Sequence, residues 1–261
     1  MNTLATPLVS IITVVRNGAS TIFDTVESVR AQQGVDVEHI IIDGASTDGT
    51  VGIINVNQYD RLRLISEPDQ GIYDAMNKGI SLAQGEWLLF LGADDVLADP
   101  AVLVDIFQNE DLTSYDLVCG TSNYHSGQEC VPRLDWHTLI FNTVHHQAAF
   151  YRRRLFDDFR YRLDIPVVAD YEMNFLIHFQ SRPALFLDRR IAISGCYGVS
   201  HTSSQLYGQF DAYRIRGQYV NVLLNIVLLA AGLGNLLFAR LMGRFPQRKR
   251  PYGHGNCCRK R

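Results

Sequence analysis

The sequence predicts an α/β fold, a mostly parallel sheet covered by helices on both faces, followed by a helical C-terminal appendage. Three observations carry the prediction. Short β-branched apolar runs alternate with stretches of helical periodicity over residues 8–92, the pattern of strand–helix–strand units. The strand candidates are apolar on both faces, as strands covered from both sides must be. Residues 220–239, VNVLLNIVLLAAGLGNLLFA, are almost wholly apolar and make a helix about 30 Å long, enough for one membrane crossing.

The elements follow in order. LVSIITVV (8–15) is the first strand, and Ile22, Val26 and Val29 form one helical stripe after Ser20 or Thr21 as cap. VEHIIID (37–43) is the second strand, GASTDGT a loop with capping residues, and a short helix comes next. LRLISE (62–67) is the third strand. Ile72, Met76 and Ile80 mark a helix that ends near Gly85, and EWLLFLG (86–92) is the fourth strand. In the second half HHQAAFYRR (145–153) reads as a strand and VADYEMNFLIHF (168–179) as a helix start. ALFLDRRIAISGCYG (184–198) reads as two short strands, and the chain is helical through Tyr213. MNTLATPLVSIITVV lacks a basic region before its apolar run, so it reads as a core strand and not a leader.

Composition narrows the function classes. The chain has 261 residues with 47% hydrophobic and 20% charged residues, an ordinary globular balance. A formal net charge of −3 gives no reason to expect nucleic acid as a partner. The five cysteines, Cys119, Cys130, Cys196, Cys257 and Cys258, form no CxxC pair or metal-ligand spacing, which fits a reducing compartment.

Polar residues cluster where the strands end. In such sheets ligands bind beyond the carboxyl ends of the strands. Arg16–Asn17 follows the first strand, Asp43 ends the second, Glu67–Asp69 follows the third, and Asp94–Asp95 follows the fourth. Neither GxGxxG nor GxxxxGK[ST] follows any strand, so a nucleotide's phosphates would be held by a metal and not by a helix N-terminus. Asp94 and Asp95 offer adjacent hard oxygen ligands, suited to Mn²⁺ or Mg²⁺ completed by substrate phosphates; the alternative is a helix cap. Asp43 is placed to accept from a base or ribose, or else to cap the GASTDGT turn, a task that suits Asp48 better. Arg16 either lines a base pocket or makes a surface ion pair. Asp69, Asp74, Asn77 and Lys78 precede or open a helix, with Asn77 and Lys78 within reach of a nucleotide or its pyrophosphate. For Asp74 a favourable charge in the first helical turn is an equal reading. Of His145 and His146, at least one is expected to be a buried, satisfied histidine, and either could touch an acceptor or a phosphate.

The stretches VSIITVVRNG, IIIDGASTDGT, SEPDQGIYDAMNKGISLAQGEWLLFLGADD and HHQAAFYRR…VVADYEM, over roughly residues 8–180, together resemble the family 2 glycosyltransferases. The segment Ser66–Asp95 is the most specific and is similar to the bacterial surface-polysaccharide enzymes of that family. The resemblance implies the Rossmann-like GT-A fold and an inverting transfer from a nucleotide-diphospho-sugar. The acceptor it implies is a glycan or lipid-linked glycan, as in O-antigen, lipopolysaccharide or exopolysaccharide assembly. It makes GADD this chain's DxD metal motif, lacking the motif's first acid in the Gly92–Ala93 neighbourhood. Asp95 is then the direct metal ligand and Asp94 the contact to ribose or metal-bound water. Asp170 in ADYE aligns with the family's acidic base, with Glu172 as fallback and a helix cap as the structural alternative. His201 is expected to close over the diphosphate or supply a third metal ligand. Two departures stand out: Gly44 where many members carry an acid, and Arg16 where members often carry Tyr. A sugar-nucleotide pyrophosphorylase shares the sheet and metal, but VVRNGAST lacks its Gly-rich basic loop. A catalytically degenerate sugar-nucleotide-binding subunit is the non-enzymatic alternative, disfavoured by retention of Asp95 and Asp170.

The expected organisation is a GT-A domain over 1–217, with a nucleotide-sugar half at about 8–121 and an acceptor half at about 122–217. The apolar helix and basic tail occupy 218–261. On a helical wheel Asn221, Asn225, Gly232 and Asn235 share one narrow face, and from Arg240 onward the chain has eight Lys or Arg and no acid. A span would leave the tail and the catalytic domain on opposite sides, against the positive-inside tendency. The expectation is a cytoplasmic enzyme peripherally attached to the inner-membrane surface; the alternative for this segment is a core helix packed on the GT-A domain.

Overall fold

A computed structural model describes residues 6–124, 127–195 and 205–242. The first seven elements follow the predicted alternation. They are β1 (Val9–Val15), α1 (Ile22–Arg30), β2 (Val37–Asp43), α2 (Thr50–Val56), β3 (Leu62–Ser66), α3 (Ile72–Leu82) and β4 (Trp87–Gly92). Next come β5 (Val96–Leu97), α4 (Val102–Phe107), β6 (Leu117–Tyr124) and β7 (Glu129–Cys130), then β8 (Ala149–Arg152), α5 (Asp170–Phe179) and β9 (Ala184–Ser194). Two helices, α6 (Gln205–Arg216) and α7 (Val222–Leu241), complete the described chain.

All strands belong to one sheet in the order β3-β2-β1-β4-β8-β6-β9-β5, with β7 paired to the edge of β6. The first four strands are parallel, as expected. The second half is mixed: β8 runs antiparallel to β4 and β6, while β6 and β9 run parallel. The long excursion between β4 and β8 removes the need for a right-handed parallel crossover there.

β4 shows why its sequence is apolar throughout. Leu88 and Phe90 enter the cluster on one face with Met76, Tyr151 and Phe175, while Leu89 and Leu91 join Val102, Ile106 and Phe150 on the other. Each such side chain contributes roughly 1.5–3 kcal/mol of burial free energy, so the strand is held firmly from both faces.

Two elements differ from the sequence reading. Residues 184–194 form one strand, not two, because Asp188 and Arg190 alternate with inward neighbours and do not interrupt the ladder; register shifts opposite Cys119–Ser122 absorb the bend. In HHQAAFYRR only Ala149–Arg152 is strand, and His146–Ala148 forms one 3-10 turn.

The register sets the site. Val15 pairs with Asp43, Asp43 with Ser66, and Val14 with Gly92. The carboxyl ends of β1 to β4 therefore stop at one level, and the polar residues that follow them crowd one edge of the sheet.

Candidate active site

A cleft of about 1260 Å³ opens above that edge, lined from the first half by Arg16, Asn17, Asp69, Tyr73, Asp94 and Asp95 and from the second by Asn142, His146 and Asp170. It is larger than a typical small-ligand pocket of about 300–1,000 Å³, with room for a sugar nucleotide and part of a second substrate.

On the nucleotide side, the loops after β1 and β2 are tied together. The Asn17 N–H donates to Ser46 Oγ (2.7 Å), Thr47 N–H to Asn17 Oδ1 (2.9 Å), and Ala19 N–H to Asp48 Oδ2 (3.0 Å). Asp48 also accepts from the Thr50 N–H, so it caps this loop as expected. Asn17 holds φ +55°, a left-handed conformation that Asn tolerates better than most residues.

That leaves Asp43 for other work. It is fully buried, and its Oδ2 accepts from the Ser46 N–H (3.0 Å) and Ser66 Oγ (2.7 Å). Its Oδ1 is buried with no partner among the described residues. An unpaired buried carboxylate oxygen is costly, and a donor from a ligand would relieve it.

The structure has a steric reason for glycine at position 44. A Cβ there would stand 2.2 Å from Asp69 Oδ2, so glycine lets the Asp69 carboxylate lie over the end of β2. Arg16 is exposed on the cleft wall. Arg16, Asp43 and Asp69 thus gather at the same end of the sheet.

Asp94 and Asp95 separate in role. Asp95 is 3% exposed and braces the turn: Oδ2 accepts from the Gly92 N–H and Oδ1 from the Gly195 N–H, both at 2.9 Å. Burial, and then the neighbouring Asp94 charge, lift its pKa above the ordinary value against those N–H groups and His146. Asp94 is half-buried and lines the cleft. A Cβ on Gly195 would stand 2.0 Å from Asp94 Oδ2, so glycine at the end of β9 makes room for the carboxylate. The Asp94 charge that helps raise the Asp95 pKa is one that a hard divalent cation would offset. Among the described residues no set of three His, Cys, Asp or Glu forms a metal cage.

Asp170 opens α5 and faces the cleft at 7% exposure. It accepts from Asn142 Nδ2 (2.7 Å), Tyr73 Oη (3.0 Å) and His146 Nδ1 (3.2 Å). Burial alone would raise its pKa, but the hydrogen bonds from His146, Tyr73 and Asn142 together with the His146 charge hold it below the usual carboxylate value. Burial opposes an imidazolium at His146, and the Asp170 hydrogen bond and the charges of Asp170 and Asp95 overcome it to raise that pKa. Asn142 is itself fixed by Asn174, which bonds to Tyr151 and the Val144 carbonyl. The carboxylate is therefore ionised, rigid and exposed to the cleft on one side.

Asn77 and Lys78 stand elsewhere than expected. Asn77 grips the Tyr161 backbone with both ends of its amide (2.8 and 2.9 Å), bracing the two halves of the molecule. Lys78 pairs with Glu67 (2.9 Å) and Asp74 and donates to the Pro68 carbonyl. Neither lines the cleft, because only the first turn of α3 reaches it. Glu172 is also turned away, accepting from the Tyr219 hydroxyl at 2.6 Å. His201 lies outside the described residues. Tyr73, Asn142 and His146 are site residues that sequence reasoning did not single out for Asp170. The histidine pair was the only visible signal.

The model of the family described as "Glycosyl transferase family 2" matches residues 10–181, which takes in the carboxyl ends of β1 to β4 and Asp170. The chain belongs to glycosyltransferase family 2. This membership sets the pyrophosphorylase reading aside. The chain is 40% identical over 193 residues to a PGL/p-HBAD biosynthesis glycosyltransferase of Mycobacterium tuberculosis, covering 70% of this chain and 73% of that one. The fold is similar to that of S. aureus TarS 1–349 solved with UDP-GlcNAc, with TM-score 0.69 at 18% identity over 86% of this chain and 71% of that one. It is also similar to a mannosyltransferase from Pyrobaculum calidifontis solved with GDP-Man and Mn²⁺, with TM-score 0.63 at 18% identity over 92% and 77% of the two chains. Both share the GT-A arrangement. This is a GT-A glycosyltransferase of glycan biosynthesis.

Proposed function

We propose that this glycosyltransferase moves a sugar, with inversion, from a nucleotide-diphospho-sugar to a hydroxyl of a glycan or lipid-linked glycan in bacterial surface-polysaccharide assembly. O-antigen and lipopolysaccharide synthesis are the settings the sequence suggests. The observation that carries the reading is the meeting of Asp94–Asp95 and Asp170 in one cleft, from opposite halves of the molecule.

Each group has a part. Asp69 and Arg16 hold the nucleoside from the cleft wall, and Asp43, fully buried behind that wall and not lining the cleft, has in Oδ1 a buried acceptor for a donor from base or ribose. Asp94, with its carboxylate on the cleft wall, would hold Mn²⁺ or Mg²⁺, while Asp95 braces the turn beneath it. This reverses the order of roles expected for the pair, since Asp95 is buried and already accepts two backbone N–H groups. A bound cation would offset charge on the departing nucleoside diphosphate. Asp170 accepts the proton of the acceptor hydroxyl as its oxygen bonds to the anomeric carbon. The bond from that carbon to the diphosphate oxygen breaks on the opposite side, which inverts the centre. His146 and Tyr73 keep the carboxylate aimed and ionised until it takes the proton.

Residues 218–261 attach the enzyme to the cytoplasmic face of the inner membrane, a reading supported by the apolar α7 and the basic residues after it. Donor hydrolysis across a panel of nucleotide sugars, with EDTA and with added Mn²⁺, tests the central reading. Metal-restored hydrolysis of one donor is expected; full activity in excess chelator would overturn the metal assignment.

A further inference from the structure

The α6–α7 pair presents three different faces. Arg216 on α6 is fully buried; its Nε donates to Asn225 Oδ1 (3.2 Å) and its Nη1 to the Tyr171 hydroxyl (3.3 Å). Asn225 returns a hydrogen bond to the Tyr213 carbonyl (2.9 Å). One helical turn and more along, Gly232 meets Gln209 so closely that a Cβ would stand 2.0 Å from Gln209 Oε1. Asn225, Leu228 and Gly232 thus form the docked stripe of α7.

The outer face is apolar and, among the described residues, uncovered. Leu223 is 77%, Val227 61% and Phe238 57% exposed, joined by Tyr207 and Phe210 of α6. No charged residue lies between Val222 and Ala239, and the sequence beyond carries Arg244, Arg248, Lys249, Arg250, Arg259, Lys260 and Arg261 without an acid. A large apolar face marks a protein or membrane contact. A second copy of this chain would bring the same positive charge to the contact, whereas anionic lipid complements it. The third face closes the cleft: Asn235 and Leu236 of α7 line it beside Gln209 and Ala212 of α6.

We infer that α6 and α7 lie in the plane of an anionic lipid leaflet, with the acceptor side of the cleft open at the lipid surface. The acceptor is then an amphiphile resident in that leaflet whose hydroxyl enters along Asn235–Leu236. This acceptor class rests on the glycosyl-transfer reading; the placement of the helices does not. A crossing helix is disfavoured, since it would strip the buried Arg216 guanidinium of Asn225 and carry two asparagines into hydrocarbon.

The test uses the full chain and vesicles of phosphatidylcholine with or without phosphatidylglycerol. Wild-type protein is expected to float with the anionic vesicles and to be released by salt. Leu223→Glu/Phe238→Glu should lose flotation with unchanged melting temperature and donor hydrolysis. Wild type that stays in solution, or forms a dimer that the double variant dissolves, overturns the proposal. In a Trp136→Phe background, where the remaining Trp87 is buried in the core and out of reach of lipid, tryptophans introduced one at a time at Leu223, Ala230 and Phe238 should be quenched alike by lipids brominated at shallow acyl positions. An Ala230→Trp signal quenched best by deeply brominated lipid means a span and refutes the in-plane placement. Asn235→Trp should be quenched by headgroup-level nitroxide, and failure there refutes entry of the acceptor from the leaflet. Donor hydrolysis without vesicles tests the catalytic reading separately.

Discussion

Asp170→Asn separates binding from chemistry, because the site can accept the amide with little rearrangement. Oδ2 takes the hydrogen bonds from Asn142 and His146, so the amide oxygen belongs there. The amide nitrogen then faces Tyr73 Oη, which can accept while donating its own proton to the Val167 carbonyl at 2.8 Å. The polar network stays satisfied, and the fold should change by no more than about 1 kcal/mol. Turnover should fall by roughly 10²–10⁴, the usual worth of a general base, or about 3–5 kcal/mol at 1.36 kcal/mol per tenfold. Isothermal titration with donor and Mn²⁺ should show unchanged affinity, while product formation shows the loss. A second readout follows His146. Its raised pKa depends on Asp170, so its NMR titration should move to lower pH in the variant. In the wild type this ion pair adds stability below the unfolded histidine pKa of 6.5 that is lost as pH rises through the raised folded value. Donor affinity that falls with turnover would place Asp170 in the nucleotide site. Turnover within about threefold of wild type, far short of the effect of losing a general base, would refute the base assignment.

The other predictions concern the nucleotide end. Asp94→Ala should abolish metal-dependent activity with little change in melting temperature, whereas Asp95→Ala should also destabilise the fold by about 2–3 kcal/mol by orphaning the Gly92 and Gly195 N–H groups. Equal stability of the two variants in thermal melts would contradict the division of roles. Because the Asp95 pKa is raised, falling pH protonates the brace beneath Asp94 ahead of an ordinary carboxylate and removes the negative charge beside the cation, so the melting-temperature gain from Mn²⁺ and nucleotide should shrink from pH 8 to pH 5.5. A gain that grows on acidification would count against it. Asp43→Asn should weaken donor binding by roughly 10–100-fold by calorimetry, the worth of a hydrogen bond to a charged group, because Oδ1 is the orphan that a ligand would satisfy. Gly44→Ala should weaken donor binding too, since its Cβ would displace the Asp69 carboxylate.

The parallel half of the fold was legible in the sequence because its signals are local. A strand covered on both faces is mostly apolar; β4 is so at every position, and β1 and β2 carry long apolar runs interrupted by buried Ser10, Thr13 and His39. The convergence of Asp43, Asp69, Asp94 and Asp95 followed from one topological rule applied to the strand ends. Elements with weak or borrowed signals escaped notice: β6, which holds the mixed half together, is broken in pattern by Gly120, Thr121 and Ser122, and β5 is two residues long.

The division of labour inside the site was decided by tertiary structure. Sequence order cannot say which of two adjacent carboxylates is used by the backbone. Gly195, a hundred residues away, settles that by donating to Asp95 and making room for Asp94. Asn77 and Lys78 match a motif, yet helix rotation turns one towards Tyr161 and the other towards Glu67. The neighbours of Asp170 come from two distant segments, Tyr73 from α3 and Asn142 and His146 from the stretch before β8, and no spacing joins these to Asp170. For α7 the sequence determined an apolar helix with a polar stripe. Only packing against α6 showed that the stripe is locked to a buried arginine while Asn235 and Leu236 reach the cleft. Periodicity records which residues prefer to leave water, whereas contacts between distant segments decide what those residues meet.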